Sequence, residues 1–327
     1  MRKRLSIEQY LEGIKSGNKL ILSQAITLIE STRPADEKRA AALMQQLPAP
    51  GYGSSCIKIG ITGVPGVGKS TFIDTFGSHL IQNGQRIAIL SIDPSSQKTR
   101  GSILGDKTRM EKLAGNPAAY VRPSPSGSTL GGVAHKTHET ILLCEAAGFD
   151  CVIVETVGVG QSETMVKDMV DFFLLLMLAG GGDELQGIKR GIMEMADAIV
   201  IHKADGDYVK AAKKARVNYQ NALHLFPPNP NNWIPPVQLC SSYENTGIGE
   251  VWETITQYIV QMRGNGFLEA NRRTQDALWF ENLLQHQLLQ KLYQSPKLHQ
   301  QIMESKELLT QEKTNVPAVV SEILRNL

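Results

Sequence analysis

The sequence predicts an α/β fold, in which a mostly parallel β-sheet is flanked by N-terminal and C-terminal helical extensions. Between residues 56 and 262, short apolar runs alternate with helical stretches, a pattern typical of strand–helix–strand crossovers. Apolar residues recur at helical spacing over 6–47 and again over 267–327. We therefore expect three parts: an N-terminal helical segment (1–50), a central α/β domain (56–262) and a C-terminal helical segment (263–327).

Composition narrows the possible functions. The chain has 327 residues, with 34 Lys and Arg against 32 Asp and Glu, a formal net charge of +2. This balance argues against general attraction to nucleic acid or anionic lipid. The longest apolar run, Phe172–Ala179, is far shorter than the ~20 residues of a membrane helix. The basic residues at 2–4 are not followed by a continuous apolar stretch, so we expect a cytoplasmic protein without membrane or nucleic-acid partners.

The elements can be placed in order along the chain. Gly17 and Asn18 separate two helices within 6–31, and Pro34 begins a third that extends to Leu47. A linker rich in proline, glycine and serine follows at 48–55. Seven strands are then predicted, at Lys58–Thr62, Arg86–Ile92, Ala119–Arg122, Cys151–Thr156, Phe172–Leu178, Ala198–His202 and Pro236–Ser241.

A phosphate-binding loop follows the first predicted strand. Its residues are Gly63, Val64, Pro65, Gly66, Val67, Gly68, Lys69 and Ser70, which fit the pattern G-x-x-x-x-G-K-[ST], with Thr71 opening a helix. The glycines allow backbone N–H groups to surround phosphates, and the helix dipole favours the negative charge. Lys69 is expected to reach the β- and γ-phosphates, and Ser70 to bind Mg²⁺. The segment is therefore predicted to bind a nucleotide.

The base is predicted to be guanine. His202, Lys203 and Asp205 follow an apolar strand, where GTP-binding domains carry N-K-x-D. Asp205 can accept hydrogen bonds from N1–H and the 2-amino group of guanine, donors that adenine does not offer there. His202 stands where asparagine is usual, and a neutral imidazole can also donate and accept. A second base-contacting loop is predicted at Ser241, Ser242 and Tyr243.

Hydrolysis requires a γ-phosphate sensor and a metal site. Glu155 and Gly158 end a buried strand as Glu-x-x-Gly, with Glu155 expected to hold Mg²⁺ through water and the Gly158 N–H to meet the γ-phosphate. Val159 occupies the place of a water-orienting glutamine, which predicts slow intrinsic hydrolysis. Further candidates are Asp93 and Asp106 as metal ligands, and Gln161, Gln186 and Lys189 for charge stabilisation.

Taken together, these residues resemble the MeaB/ArgK family of GTPases associated with methylmalonyl-CoA mutase. The resemblance covers nearly the whole chain, including Arg272, Gln275 and Trp279 near its end. Two departures are His202 for asparagine and Arg100 for a second glycine. The matching stretches are Gly60–Asp74, Asp93–Ser96, Ser102–Met110, Gly148–Asp150, Glu155–Glu163 and Gly182–Glu194.

The resemblance implies a P-loop G-domain of the signal-recognition/MinD-like class and a homodimeric, Mg²⁺-dependent GTPase that binds GTP and GDP. It implies a partner, an adenosylcobalamin-dependent acyl-CoA mutase, whose cofactor loading the GTPase gates and which it protects. Phosphate binding maps onto 63–71, the Mg²⁺ site onto Ser70, Asp93, Asp106 and Glu155, and a mutase-responsive switch onto Gln186 and Lys189. With Lys69 and Glu155, the last two are the expected catalytic residues, and no room is expected for a transit peptide.

Three alternatives remain open at this point. A small-molecule kinase of the arginine type would need an acceptor-side motif, and none stands out beyond the G-domain. A nickel-delivery GTPase would need a His- or Cys-rich entry tract, which the sequence lacks. A pure interaction module with an inactive nucleotide site is the third alternative, and His202 is the residue that keeps it open.

Overall fold

A single parallel sheet organises the central part of the protein. The computed structural model describes residues 4–48, 53–92, 110–122, 130–156, 162–179 and 190–325. The strands are β1 (Ile57–Gly63), β2 (Ile87–Ile92), β3 (Ala119–Arg122), β4 (Cys151–Thr156), β5 (Phe172–Leu178), β6 (Ala198–His202) and β7 (Val237–Leu239). They lie in the order β3-β2-β4-β1-β5-β6-β7, and each neighbouring pair is parallel.

Helices precede, cover and follow this sheet. Those before and between the strands are α1 (Ile7–Lys15), α2 (Lys19–Glu30), α3 (Pro34–Gln46), α4 (Lys69–Gln82), α5 (Glu111–Ala114), α6 (Leu130–Ala146), α7 (Ser162–Lys167), α8 (Arg190–Met195) and α9 (Val209–Leu223). After β7 come α10 (Ile248–Gly264), α11 (Phe267–Gln294), α12 (Pro296–Thr310) and α13 (Val316–Arg325). The predicted fold class, a parallel α/β sheet with helices at both ends, is confirmed.

All seven predicted strands are present. The last is shorter than predicted, because Ser241 leaves the sheet and forms an antiparallel bridge with Thr246. The predicted break between the first two helices is also present, with Gly17 at a φ of +69°. The side chain of Asn18 caps α2 by accepting from the N–H groups of Leu20 and Ile21, which explains why the second helix begins there.

Three apolar clusters pack against the two faces of the sheet, and one of them lies among α9, β5 and β6. On one face, α4 and α10 pack through residues such as Phe72, Phe76 and Tyr258. On the other face, α1, α2, α3 and α6 pack through residues such as Tyr10 and Ile26. Central strands buried on both sides explain the continuous apolar runs of β4 and β5.

The chain divides into two compact units, Met1–Gln275 and Asp276–Leu327. The second contains the end of α11 together with α12 and α13. The domain bounds expected from the sequence, at 50, 56 and 262, stay a prediction. Within the described ranges, no helix is both long and apolar enough to cross a membrane.

An arginine of α11 is buried at the end of the sheet opposite to the phosphate-binding loop. Arg272 is 5% exposed and binds the Asp171 carboxylate through two hydrogen bonds, from Nε at 2.8 Å and from Nη2 at 2.7 Å. It also donates to the backbone carbonyls of Ser54 and Cys56. Asp171 in turn accepts from the N–H of Lys58 at 2.9 Å. The start of β1, the start of β5 and α11 are therefore joined by one ion pair.

We expect Arg272→Ala to lower the free energy of unfolding by about 3–5 kcal/mol, because it leaves the Asp171 carboxylate buried without its cation. Urea denaturation of the full chain measures the change. Arg273→Ala is the matched control, since Arg273 is exposed on the same helix and surface changes cost about 0.5 kcal/mol or less. Equal effects of the two substitutions would contradict this role for Arg272.

Candidate functional site

The phosphate-binding loop lies between β1 and α4, at the carboxyl edge of the sheet. Gly66 and Gly68 have φ of +78° and +92°, a left-handed conformation that side chains other than glycine rarely adopt. At Gly63, an added Cβ would lie 2.4 Å from the carbonyl oxygen of Leu176 on β5. The three glycines of the predicted motif are therefore required by backbone conformation or by close approach.

The N-terminus of α4 is open toward the loop. Gly68 is the N-cap and makes no side-chain hydrogen bond, so the cap residue does not satisfy the first-turn N–H groups. Lys69 Nζ donates to the carbonyl oxygen of Gly63 at 2.8 Å, which places the amine over the loop. Burial lowers the pKa of Lys69, and the carboxylates of Glu155 and Glu163 oppose that shift. The backbone amides, the helix dipole and the Lys69 ammonium group therefore act on the same region, as phosphate binding requires.

Two oxygen ligands lie together beside the loop. Ser70 Oγ and Glu155 Oε1 are 3.4 Å apart, although Ser70 lies in the first turn of α4 and Glu155 belongs to β4. Glu155 is 4% exposed. A hydroxyl and a carboxylate are hard oxygen donors of the kind that Mg²⁺ takes together with phosphate oxygens and water. These residues fit a Mg²⁺ ion.

A second carboxylate near the phosphate loop was not predicted from the sequence. Glu163 lies in the first turn of α7 and is 5% exposed, and its charge acts on Lys69. The sequence contains one signal for it, since Glu163 closes the stretch 155–163 on which the family resemblance rests. Its proximity to Lys69 depends on how α7 packs, which residue spacing does not reveal.

The predicted base-recognition residues meet the phosphate loop from the end of β6. His202 Nδ1 lies 2.7 Å from the carbonyl oxygen of Val67, and its Nε2 lies 2.7 Å from Ser242 Oγ. Lys203, at a φ of +58°, donates from Nζ to the carbonyl oxygen of Gly66 at 2.8 Å. Burial lowers the pKa of His202, with a contribution from the Lys203 charge, while the Val67 carbonyl and Asp205 oppose the shift. The lowered pKa favours the neutral imidazole.

Asp205 is held by the second predicted loop. Ser241 Oγ donates a short hydrogen bond to Asp205 Oδ2, and the hydroxyl oxygen accepts from the N–H of Glu244 at 3.1 Å. Ser241 and Ser242 are buried, whereas Tyr243 is 92% exposed. The structure thus brings His202, Lys203, Asp205, Ser241 and Ser242 together, while Tyr243 points to solvent.

Part of the predicted site lies outside the described residues. This applies to the metal candidates Asp93 and Asp106, to Gly158, and to the catalytic candidates Gln186 and Lys189. Their roles stay predictions. The remaining predicted residues, Gly63 to Thr71, Glu155, His202, Lys203, Asp205 and Ser241 to Tyr243, come from four separate parts of the chain and lie at the carboxyl side of the sheet. A parallel sheet with a glycine-lysine-serine loop leading into an uncapped helix defines the class of P-loop nucleoside triphosphatases.

Comparison with known proteins places the chain within that class. Residues 22–297 match the family described as methylmalonyl Co-A mutase-associated GTPase MeaB, and the chain belongs to this family of GTPases. A Caulobacter vibrioides protein named as a GTPase is 50% identical over 285 residues, 87% of this chain and 86% of its own length. The mouse methylmalonic aciduria type A homolog, named as mitochondrial, is 44% identical over 92% of this chain and 75% of its own length.

A solved structure agrees with this assignment. The crystal structure of a LAO/AO transport system kinase superposes with a TM-score of 0.76 at 33% identity, covering 99% of this chain and 98% of that one. The fold of this chain is therefore shared with that solved protein over nearly the full length of both chains.

Proposed function

We propose that this protein binds GTP with Mg²⁺, hydrolyses it slowly on its own, and acts as a chaperone of an adenosylcobalamin-dependent acyl-CoA mutase. The observation that carries the guanine assignment is the junction of two loops: Lys203 and His202 reach the carbonyl oxygens of Gly66 and Val67, which links the phosphate loop to the loop that carries Asp205. The family description, which names methylmalonyl Co-A mutase, supports the partner.

The described residues have separate roles in the proposed hydrolysis. Lys69 and the first-turn amides of α4 bind and orient the phosphates, and Lys69 stabilises charge that develops on the γ-phosphate. Ser70 and Glu155, with Asp93 and Asp106, would hold the Mg²⁺ ion. When bound, this ion neutralises charge on the β- and γ-phosphate oxygens. Asp205 orients the base, so that the phosphates enter the loop in one register.

In this proposal the rate of GTP hydrolysis depends on the partner. Val159 cannot orient a water molecule as a glutamine does, so the missing stabilisation is assigned to Gln186 and Lys189 when the mutase is bound. In other GTPases a partner-supplied group accelerates hydrolysis by ~10³–10⁵-fold. In this proposal the segment that responds to the nucleotide is the same one that contacts the mutase. The nucleotide bound therefore controls cofactor loading.

GTP turnover by the purified protein tests the proposal, measured alone and with an adenosylcobalamin-dependent methylmalonyl-CoA mutase, with ATP as control. We expect slow hydrolysis of GTP, none of ATP, and a rise of at least tenfold with the mutase. An unchanged GTP rate at saturating mutase would contradict the chaperone role but leave the GTPase assignment intact. Because the solved relative is titled a kinase, arginine is added in a parallel reaction, and labelled phosphoarginine would favour that alternative.

We further propose that the active protein is a homodimer formed through the C-terminal helices. Six large apolar side chains of α11 are exposed by 39–63%, namely Leu278, Phe280, Leu284, Leu288, Leu289 and Tyr293. Side chains of this kind are typical of an interface that a second copy covers. Light scattering of the full chain at micromolar concentration is expected to give twice the chain mass of 35.9 kDa, and a single-chain mass would contradict the dimer.

A further inference from the structure

His202 is a buried side chain that contacts two different loops at once. It is 3% exposed, and each of its ring nitrogens has one neighbour at 2.7 Å: the carbonyl oxygen of Val67 at Nδ1 and Ser242 Oγ at Nε2. A carbonyl oxygen only accepts, so Nδ1 carries the hydrogen. In the neutral ring Nε2 then has a free lone pair and accepts from the Ser242 hydroxyl. The directions of both hydrogen bonds are therefore determined.

Packing fixes the ring in this position. The edge of Phe72 meets the imidazole at a centroid distance of 5.8 Å. On the side of the phosphate loop, a Cβ added to Gly68 would lie 3.0 Å from Cε1 of His202, so only a glycine leaves the ring this space. The ring cannot shift toward either loop without losing one of its two hydrogen bonds.

The two contacts connect the phosphate end of the site to its base end. Val67 belongs to the phosphate loop, whereas Ser242 directly follows Ser241, whose hydroxyl holds Asp205. We propose that Ser242, acting through His202, is a positioning residue for guanine recognition, which makes the phosphate loop and the base loop a single unit. This inference rests on the proposed guanine-nucleotide site and names a residue on which its selectivity depends.

The geometry of the imidazole makes this dependence particular to histidine. An asparagine at position 202 would place its amide nitrogen where Nδ1 lies and could keep the bond to Val67. It has no atom one bond farther out, where Nε2 reaches Ser242. Glutamine is the opposite case, since its amide oxygen can reach the distance of Nε2 and accept from the Ser242 hydroxyl. His202→Asn and His202→Gln therefore separate the two bonds.

The test is a double-mutant cycle between positions 202 and 242 in the full chain, with affinities for GDP and inosine diphosphate measured by calorimetry. Inosine diphosphate lacks the 2-amino group, so the ratio of the two affinities reports base recognition while effects on phosphate binding cancel. Ser242→Ala is expected to lower this ratio about fivefold, the effect of one hydrogen bond. In the His202→Asn background the same change is expected to alter the ratio by less than twofold.

Equal losses in both backgrounds, or no loss in either, would overturn the proposal. Ser242→Thr keeps the hydroxyl and is expected to retain the wild-type ratio. Comparison of Ser242→Ala with Ser242→Thr therefore tests the role of the hydroxyl even if His202→Asn does not fold. Ser78→Ala, which removes a hydroxyl that donates to the Asp74 carbonyl oxygen within α4, is the control for unspecific effects. A wild-type protein that binds both nucleotides equally would overturn the guanine site itself, an outcome visible before any variant is made.

Discussion

Replacing Lys69 by alanine is expected to lower kcat for GTP hydrolysis by ~10²–10³-fold, the range found when one preorganised charge-stabilising donor is removed. The amine lies over the phosphate loop, 2.8 Å from the Gly63 carbonyl oxygen, where it meets charge on the β- and γ-phosphates. Single-turnover hydrolysis with protein in excess over GTP measures this effect separately from product release.

The fold is expected to survive this substitution, because the hydrogen bond from Lys69 Nζ to the Gly63 carbonyl oxygen is local to the phosphate-binding loop. Thermal unfolding within a few degrees of the wild type would show this. Lys214→Ala is the matched control, since Lys214 is exposed on α9 and should leave hydrolysis unchanged. Wild-type hydrolysis by Lys69→Ala would show that the phosphate site is wrongly assigned.

Asp205→Asn is expected to shift base preference from guanine toward xanthine by ~100-fold or more. In the proposed site the carboxylate accepts from N1–H and the 2-amino group of guanine, and each hydrogen bond to a charged group contributes about 1.5–3 kcal/mol. Asparagine replaces one acceptor by a donor, which suits the 2-oxo group of xanthine. Its remaining oxygen can still accept from Ser241, which holds Asp205 in place, so the side chain keeps its orientation.

Competition between GTP and XTP for hydrolysis measures this shift as a ratio of kcat/KM values. Asp207→Asn provides the control, because Asp207 is an exposed carboxylate two residues away, in the 3₁₀ turn Gly206–Tyr208. A preference ratio that Asp205→Asn leaves unchanged would remove Asp205 from base recognition. The same ratio after Asp207→Asn shows whether loss of negative charge alone alters selectivity.

Much of the fold could be predicted because its signals are local. The seven strands were recognisable as short apolar runs bounded by turn residues, and Phe172–Leu178 has the same bounds in the structure. The order of the strands was not predictable in this way. Apolar periodicity reports which residues of β1 are buried but carries no record that β4 and β5 are its neighbours.

The candidate site also has a part that could be predicted from the sequence and a part that could not. Gly63 to Ser70 could be assigned because a strand, a glycine-rich turn and a helix N-terminus follow one another within the chain. Arg272 was part of the family resemblance, but its ion pair with Asp171, 101 residues away, required the packed structure. Glu163 was missed as a neighbour of Lys69 for the same reason, since a helix of six residues sets its position.

The sequence by itself determined the class of this protein: a parallel α/β sheet, a phosphate-binding loop and an aspartate suited to guanine. Backbone conformation and hydrogen-bonding capacity are properties of single residues and short spacings, and they can be read without coordinates. Only the tertiary structure decided which atoms meet. His202 could be recognised as a departure from asparagine, but its bonds to Val67 and Ser242 join residues 135 and 40 positions away. Contacts over such separations depend on how the whole sheet and its helices pack.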